Sequence, residues 1–352
     1  MDYIVIDEDR FRVNDNIMRE RERLIRYNKL YLKKYKQLPP TSLEFYEFVE
    51  LIGKGAFGQV TLGIHKLTGR QVAIKAINKS YMQDTYSKQK VMQEVYILKK
   101  IRHSNIIRLF EVFQSPKHFL LVMEYANGGD LLQFVKKRQH LDEDTAKRIF
   151  KQVVHGIAHC HCRSVLHRDI KLDNILMDEN EGIKICDFGV SRLITKNQSI
   201  QEQCGTPAYL APEIIADKGY RGYYVDLWSL GVLLYAMLQG TVPFKAKSLP
   251  ALHALILSGK LEYPQVISEQ ARHLIQSMLK VEPGERISIP SILKHPWLCN
   301  EDELADDECD DHDFEMGISF RREECNFNPL GMIGMSSSNN ATALASNRQA
   351  SK

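Results

Sequence analysis

At 352 residues, with 44% apolar and 26% charged side chains, the chain is long enough for two packed lobes with tails and too apolar to be disordered throughout. A net charge of +3 supplies no global field toward nucleic acid or a membrane surface. Seven cysteines without regular spacing do not form a disulfide framework, and no segment has the length of a membrane span, the longest apolar run being Leu230 to Leu238. Met1 to Arg10 is acidic and lacks the apolar core of a secretory signal. These features lead us to expect a soluble protein of the cytosol or nucleus, without nucleic-acid binding or stable membrane insertion.

Residues 1–45 form a basic extension. Ile17 to Leu38 carries eight Lys or Arg against two Glu, with Ile17, Leu24, Tyr27, Leu30, Tyr31 and Tyr35 at roughly helical spacing, and Pro39-Pro40 ends the run. Two readings follow. The helix either packs its apolar stripe on the main domain, or presents it to a regulatory partner, such as calmodulin or an anionic surface.

From Tyr46 to Ala126 short β-type runs dominate, at Phe48 to Ile52, Val60 to Ile64 and Val72 to Ile77. One helix interrupts them, with Val91, Val95, Leu98 and Ile101 on one face. After Gly129 the period becomes helical, as at Ile149, Val153 and Ile157. The expectation is an α+β protein of two lobes, a small β-rich one with a single helix and a larger helical one, joined near Glu124 to Asn127. After Leu298, Glu301 to Glu315 holds ten acidic and no basic residues, and a Ser/Asn/Ala-rich run follows. Residues 299–352 are expected to be a disordered tail. Attraction between this acidic run and the basic helix is a further reading, weakened by screening beyond about 10 Å.

Gly53-Lys54-Gly55-Ala56-Phe57-Gly58-Gln59-Val60 lies between two strand-like runs, where glycines let a backbone approach phosphates. Dinucleotide folds use a similar run, but there a helix follows it, and here a strand does. Lys75, in the apolar strand Val72-Ala73-Ile74-Lys75, requires an anionic neighbour, and Glu94 inside the helical apolar stripe can supply one. Further on stand His167-Arg168-Asp169-Ile170-Lys171-Leu172-Asp173-Asn174, then Asp187-Phe188-Gly189, then Ala211-Pro212-Glu213.

In this order the motifs resemble the eukaryotic protein kinase superfamily, over about Tyr46 to Leu298. The resemblance implies a bilobal fold using ATP and Mg²⁺. Lys75 would pair with Glu94 and the α/β-phosphates, Asp169 would be the catalytic base, Lys171 would stand by the γ-phosphate, and Asn174 and Asp187 would hold Mg²⁺. Nucleotide contacts would come from Ile52, the loop through Val60, Ala73, Met123 as gatekeeper, Glu124, Ala126, Asp130 and Leu176. Leu98, Leu109, His167 and Phe188 would stack as a regulatory spine. Asp226 would anchor the catalytic loop, and Arg286 would pair with Glu213.

Lys171 and Gly205-Thr206-Pro207 resemble the serine/threonine form, with Thr206 bridging Asp169 and Lys171. The run Cys204 to Tyr209, the run Leu234 to Phe244 and His295-Pro296-Trp297 resemble the calcium/calmodulin-dependent and AMP-activated-like group. Asp130 and Asp173 suggest preference for a basic residue three positions before the target. Relatives place a phosphorylatable threonine where Glu202 stands, so pairing of Glu202 with Arg168 is expected to order the loop in part. The other reading leaves Glu202 in solvent, with Thr195 or Ser199 regulating. The cluster His155, His159, Cys160, His161 and Cys162 invites a metal reading but fits a core helix better. Cys186 is either a reactive thiol at the nucleotide pocket or a small core residue. A nucleotide-binding scaffold without catalysis is the alternative function, although it would not need every one of these side chains.

Overall fold

The computed structural model describes residues 15–299 apart from 37–38, 40, 56–57, 196–198 and 218, so the expectations for the tail lie outside the described residues. The first element, α1 (Asp15–Tyr35), is rich in Arg, Glu and Leu, all strong helix formers. Leu24 packs on a cluster formed by Phe45, Tyr46, Val72, Ile74, Leu120 and Val122, and Lys66 pairs with Glu20. The stripe is only partly used, because Tyr27, Leu30 and Tyr35 stay exposed. Tyr27 and Leu30 lie off the face centred on Leu24 and Asn28 once each residue turns the helix by about 100°.

The small lobe is one antiparallel sheet of order β1-β2-β3-β5-β4, comprising β1 (Tyr46–Gly55), β2 (Gly58–His65), β3 (Gln71–Asn78), β4 (Leu109–Gln114) and β5 (His118–Glu124). Strand alternation sorts its two faces. Val72, Ile74 and Ala76 of β3 meet the cluster beneath α1, while Ile77 joins the main core. The helix α2 (Thr85–Lys100) starts at Asp84, whose carboxylate accepts from Ser87 N at 2.8 Å, and buries Val91, Glu94, Val95 and Leu98.

The large lobe is built on α3 (Leu131–Arg138), α4 (Glu143–Cys162), α5 (Pro212–Ile215), α6 (Tyr224–Gln239), α7 (Leu249–Ser258), α8 (Glu269–Met278) and α9 (Ile289–Leu293). Two-stranded pairings carry the segments between them: β6 (Val165–Leu166) with β9 (Arg192–Leu193), β7 (Ile175–Met177) with β8 (Ile183–Ile185), and β10 (Ser199–Ile200) with β11 (Tyr220–Arg221). Every residue of α6 from Val225 to Gln239 is buried, as expected of a helix apolar on all sides. Gly240 closes it at φ +69°, where an added Cβ would fall 1.8 Å from the Gln139 carbonyl oxygen.

Two buried ion-bearing groups fix this lobe. Asp226, on α6 with no exposed surface, accepts from His161 Nε2 at 2.8 Å, His167 N at 3.0 Å and Arg168 N at 2.9 Å. Burial opposes its charge, but His161 and these N–H donors hold its pKa below the ordinary carboxylate value. Arg286 meets both oxygens of Glu213 at 2.7 Å and also donates to the carbonyls of Lys280 and Tyr224.

Asp226→Asn turns one acceptor oxygen into an NH₂ facing donors, and should cost about 2–4 kcal/mol at pH 7. Because the folded pKa is depressed, this stabilisation is complete above the unfolded value of about 3.9 and is lost as pH falls through the folded value. The stability gap between wild type and variant, measured in urea, should therefore narrow below pH 4. Arg286→Met strands the Glu213 carboxylate, and thermal unfolding should show a Tm lower by about 5–10 °C.

Candidate active site

The site lies where the β-sheet edge meets the segments after α4. The glycine run forms the turn between β1 and β2, with Gly53 opposite Val60, Lys54 opposite Gln59 and Gly55 opposite Gly58. Ala56 and Phe57 lie outside the described residues. At Gly58 an added Cβ would stand 1.9 Å from the Ala76 carbonyl oxygen, so only glycine lets β2 run this close to β3.

Lys75 sits on β3 between Val60 of β2 and Leu121 of β5, and its Nζ meets Glu94 Oε1 at 2.7 Å. Burial works against the ammonium, but Glu94 and Asp187 outweigh it and raise the Lys75 pKa. The lysine expected to need an anionic neighbour thus has one, supplied by the apolar stripe of α2.

Below the sheet, Asp169 is held by three side chains. Thr206 Oγ1 donates to Oδ1 at 2.8 Å, while Lys171 Nζ and Asn174 Nδ2 each reach Oδ2 at 2.8 Å. Lys171 also donates to Thr206 Oγ1 at 2.9 Å, so threonine bridges the two as expected. Burial raises the Asp169 pKa, and the Lys171 and Thr206 contacts more than reverse it, leaving a carboxylate ionised at neutral pH. Arg168, beside it, has φ +71°, an uncommon conformation for a non-glycine residue, held by the Asp226 contact to its N–H.

Asp187 and Phe188 point to opposite sides. Asp187, at φ +61°, is exposed, and Phe188 is buried edge-on against the His167 ring at 4.8 Å. Leu98 is buried and Leu109 packs on the same core. Asn174 Nδ2 donates to both Asp169 O and Oδ2 at 2.8 Å, leaving its amide oxygen as the acceptor. Asn174, bound to Asp169, and Asp187, close enough to the Lys75 ammonium to act on it, thus offer hard oxygen donors, a set that fits Mg²⁺.

Around the expected base pocket, Ala73 pairs with Met123 across β3 and β5, and Asp130 bridges to Leu176. Val60, Ala126 and Leu176 are half-buried, while Ile52, Lys54 and Gln59 are exposed on the glycine hairpin. The Glu124 carboxylate accepts from Arg108 N at 3.2 Å and pairs with Lys184 Nζ at 2.8 Å, and its own N–H donates to Arg108 O at 2.8 Å. Asp130 also caps α3, accepting from Gln133 N at 2.8 Å.

The histidine and cysteine cluster does not converge. His161 is bound to Asp226, His159 lies against the His103 ring at 4.9 Å, and Cys160 is buried. Burial and Asp187 push the Cys186 thiol up to about 12, which argues against a reactive nucleophile. Sequence reasoning missed several groups: Ser191 donates to His167 O at 3.1 Å, Gln93 to Ser191 O at 2.8 Å, and Tyr220 OH to Glu202 O at 3.1 Å. Only Gln93 left a trace, one residue before Glu94 on the helix already singled out.

Residues 46–298 match the protein kinase domain family. Among curated proteins, the chain is 42% identical over 260 residues to a serine/threonine-protein kinase SIK3 homolog of Danio rerio, covering 74% of this chain and 22% of that one. It is 41% identical over 256 residues to the serine/threonine protein kinase OSK3 of Oryza sativa subsp. indica, covering 73% and 50%. It is 42% identical over 257 residues to the CBL-interacting serine/threonine-protein kinase 5 of Arabidopsis thaliana, covering 72% and 58%. The chain therefore spans between about a fifth and three-fifths of the length of these relatives. With the paired lysine, the three-way grip on Asp169 and this match over most of its length, the chain belongs to the eukaryotic protein kinase family and to its CAMK type.

Proposed function

We propose that this chain transfers the γ-phosphoryl group of Mg-ATP to serine or threonine hydroxyls of other proteins. The observation that carries the reading is the Asp169 carboxylate, ionised and aimed by Lys171, Asn174 and Thr206. Phosphoryl transfer asks for positioning and charge neutralisation more than covalent chemistry. Asp169 orients the substrate hydroxyl and receives its proton as the oxygen–phosphorus bond forms. The bond to the β-phosphate bridging oxygen breaks, and ADP leaves. Lys75, fixed by Glu94, binds the α/β-phosphates, and Lys171 neutralises the γ-phosphoryl oxygens. Magnesium held by Asn174 and Asp187 would supply the remaining positive charge.

Lys171 bound to Thr206 supports serine/threonine acceptors, as do the serine/threonine kinase names of the relatives. A scaffold without catalysis has no use for the Asp169 network, so the enzyme reading is preferred. The organisation we infer is an extension over 1–45, a catalytic domain over 46–298 and a tail over 299–352. We place the protein in the cytosol or nucleus. The described cysteines are free thiols, which suits a reducing compartment. Among the described residues no helix is long and apolar enough to cross a membrane.

Transfer from Mg-ATP to a serine peptide library should be robust for wild type, and Asp169→Asn should lower kcat by about 10²–10⁴-fold with nucleotide binding retained. ATP binding without transfer by either protein would favour the scaffold. The exposed Asp173 and the half-buried Asp130 support selection of a basic side chain three residues before the target. Asp130→Asn combined with Asp173→Asn keeps the α3 cap and removes two charges, and should reduce the preference for arginine there by about tenfold on a peptide array. An unchanged array would remove this specificity assignment.

A further inference from the structure

Between α2 and the segment following Gly189 lies a cavity of about 220 Å³, walled by Lys90, Gln93, Arg168, Arg192 and Glu202. Three of these side chains are cationic, and Glu202 is the carboxylate facing them. Its two oxygens are divided between the lobes. Oε2 meets Arg168 Nη1 at 3.0 Å and lies 3.9 Å from Arg192 Nη1. Oε1 accepts from Tyr86 OH at 2.9 Å and pairs with Lys90 Nζ at 3.2 Å. Burial raises the Glu202 pKa, and Arg168, Tyr86 and Lys90 together bring it down to about 2.

The partners on α2 are spaced so that this contact bears on the active site. Tyr86, Lys90 and Glu94 stand four residues apart and form one stripe along the helix. The Lys90 ammonium also sits 4.5 Å from the centre of the Tyr86 ring. The apolar anchoring of α2 begins only at Val91, and no residue from Thr85 to Lys90 is buried. The first half of the helix is therefore located by polar contacts. Arg168 completes the frame, donating to Val190 O at 2.6 Å and to Tyr220 OH at 3.2 Å.

We propose that Glu202 is a positioning residue: it clamps the Tyr86–Lys90 turn of α2 to Arg168 and so holds Glu94 on Lys75 without any phosphate on the chain. Tyr86 and Lys90 are its partners in this role. The proposal rests on the kinase reading and adds how the site is kept assembled. One carboxylate, in place of an added phosphoryl group, balances cations that would otherwise repel one another across the gap between the lobes.

The test uses the full chain after phosphatase treatment, with intact mass confirming that no phosphate remains. Glu202→Gln, Glu202→Asp and Tyr86→Phe are compared with wild type for kcat, for KM of Mg-ATP and peptide, and for hydrogen exchange over residues 85–100. Glu202→Gln should lower kcat by about 5–50-fold with peptide KM nearly unchanged, and should speed exchange in α2. Glu202→Asp should recover part of both, and Tyr86→Phe should cost less in the Glu202→Gln background than alone. Wild-type kcat and wild-type α2 exchange in Glu202→Gln would overturn the clamp while leaving the kinase reading intact. Faster exchange spread evenly over both lobes, with no recovery by aspartate, would also overturn it, marking Glu202 as a general stability residue. Faster exchange confined to α2 in a protein that transfers no phosphate would keep the clamp and remove the kinase reading.

Discussion

A carboxylate inside an apolar helix is tolerated only when its oxygens are fully paired, and Asp226 meets that demand with an imidazole and two consecutive backbone N–H groups. Much of the site descends from this arrangement. The N–H groups of His167 and Arg168 must converge on one point, which forces Arg168 to a positive φ. That turn puts Asp169 within reach of Lys171, Asn174 and Thr206, and sends the Arg168 side chain the other way, toward Glu202. The fully buried α6 thus works as a fixed post from which both the Asp169 carboxylate and the loop contact are hung.

The two lobes hold their parts by different means. In the large lobe, apolar burial around α4 and α6 supplies the rigidity, and a few ionic groups such as Arg286–Glu213 set the register of the loops. In the small lobe, the sheet is rigid but the first turns of α2 are not backed by apolar contacts. Val91, Val95 and Leu98 seat the half of α2 that carries Glu94, and polar contacts locate the turns before it. One apolar core runs through both lobes, with Val91 and Leu98 of α2 in the same cluster as Phe188, and the polar contacts of Tyr86 and Lys90 lie beyond its edge.

Much of this was legible from the chain itself. An isolated lysine in an apolar strand and a glutamate in an apolar helical stripe predict each other, because neither ion can be buried alone. The motifs around Asp169 and Asp187 fall close together in sequence, so their meeting required little inference. Contacts between distant segments were harder. Tyr86 and Glu202 are separated by 116 positions, and nothing in the spacing of either announces the other. The apolar period of α1 does not tell a packed position from an exposed one: Leu24 meets the cluster beneath, while Tyr27, Leu30 and Tyr35 face water. At Glu124 the sequence does not show that the carboxylate is engaged by Arg108 and Lys184, because a linear reading cannot rank competing partners.

That last residue has a mechanical consequence. Glu124 ends β5, Arg108 precedes β4, and Lys184 belongs to β8 of the large lobe, so one carboxylate pins the rear of the crossover between the lobes. Displacements of the small lobe that keep this contact are rotations about it, small behind it and larger at the glycine hairpin in front. A cleft that moves this way is a hinged jaw swinging at its tip, rather than two halves drawing apart.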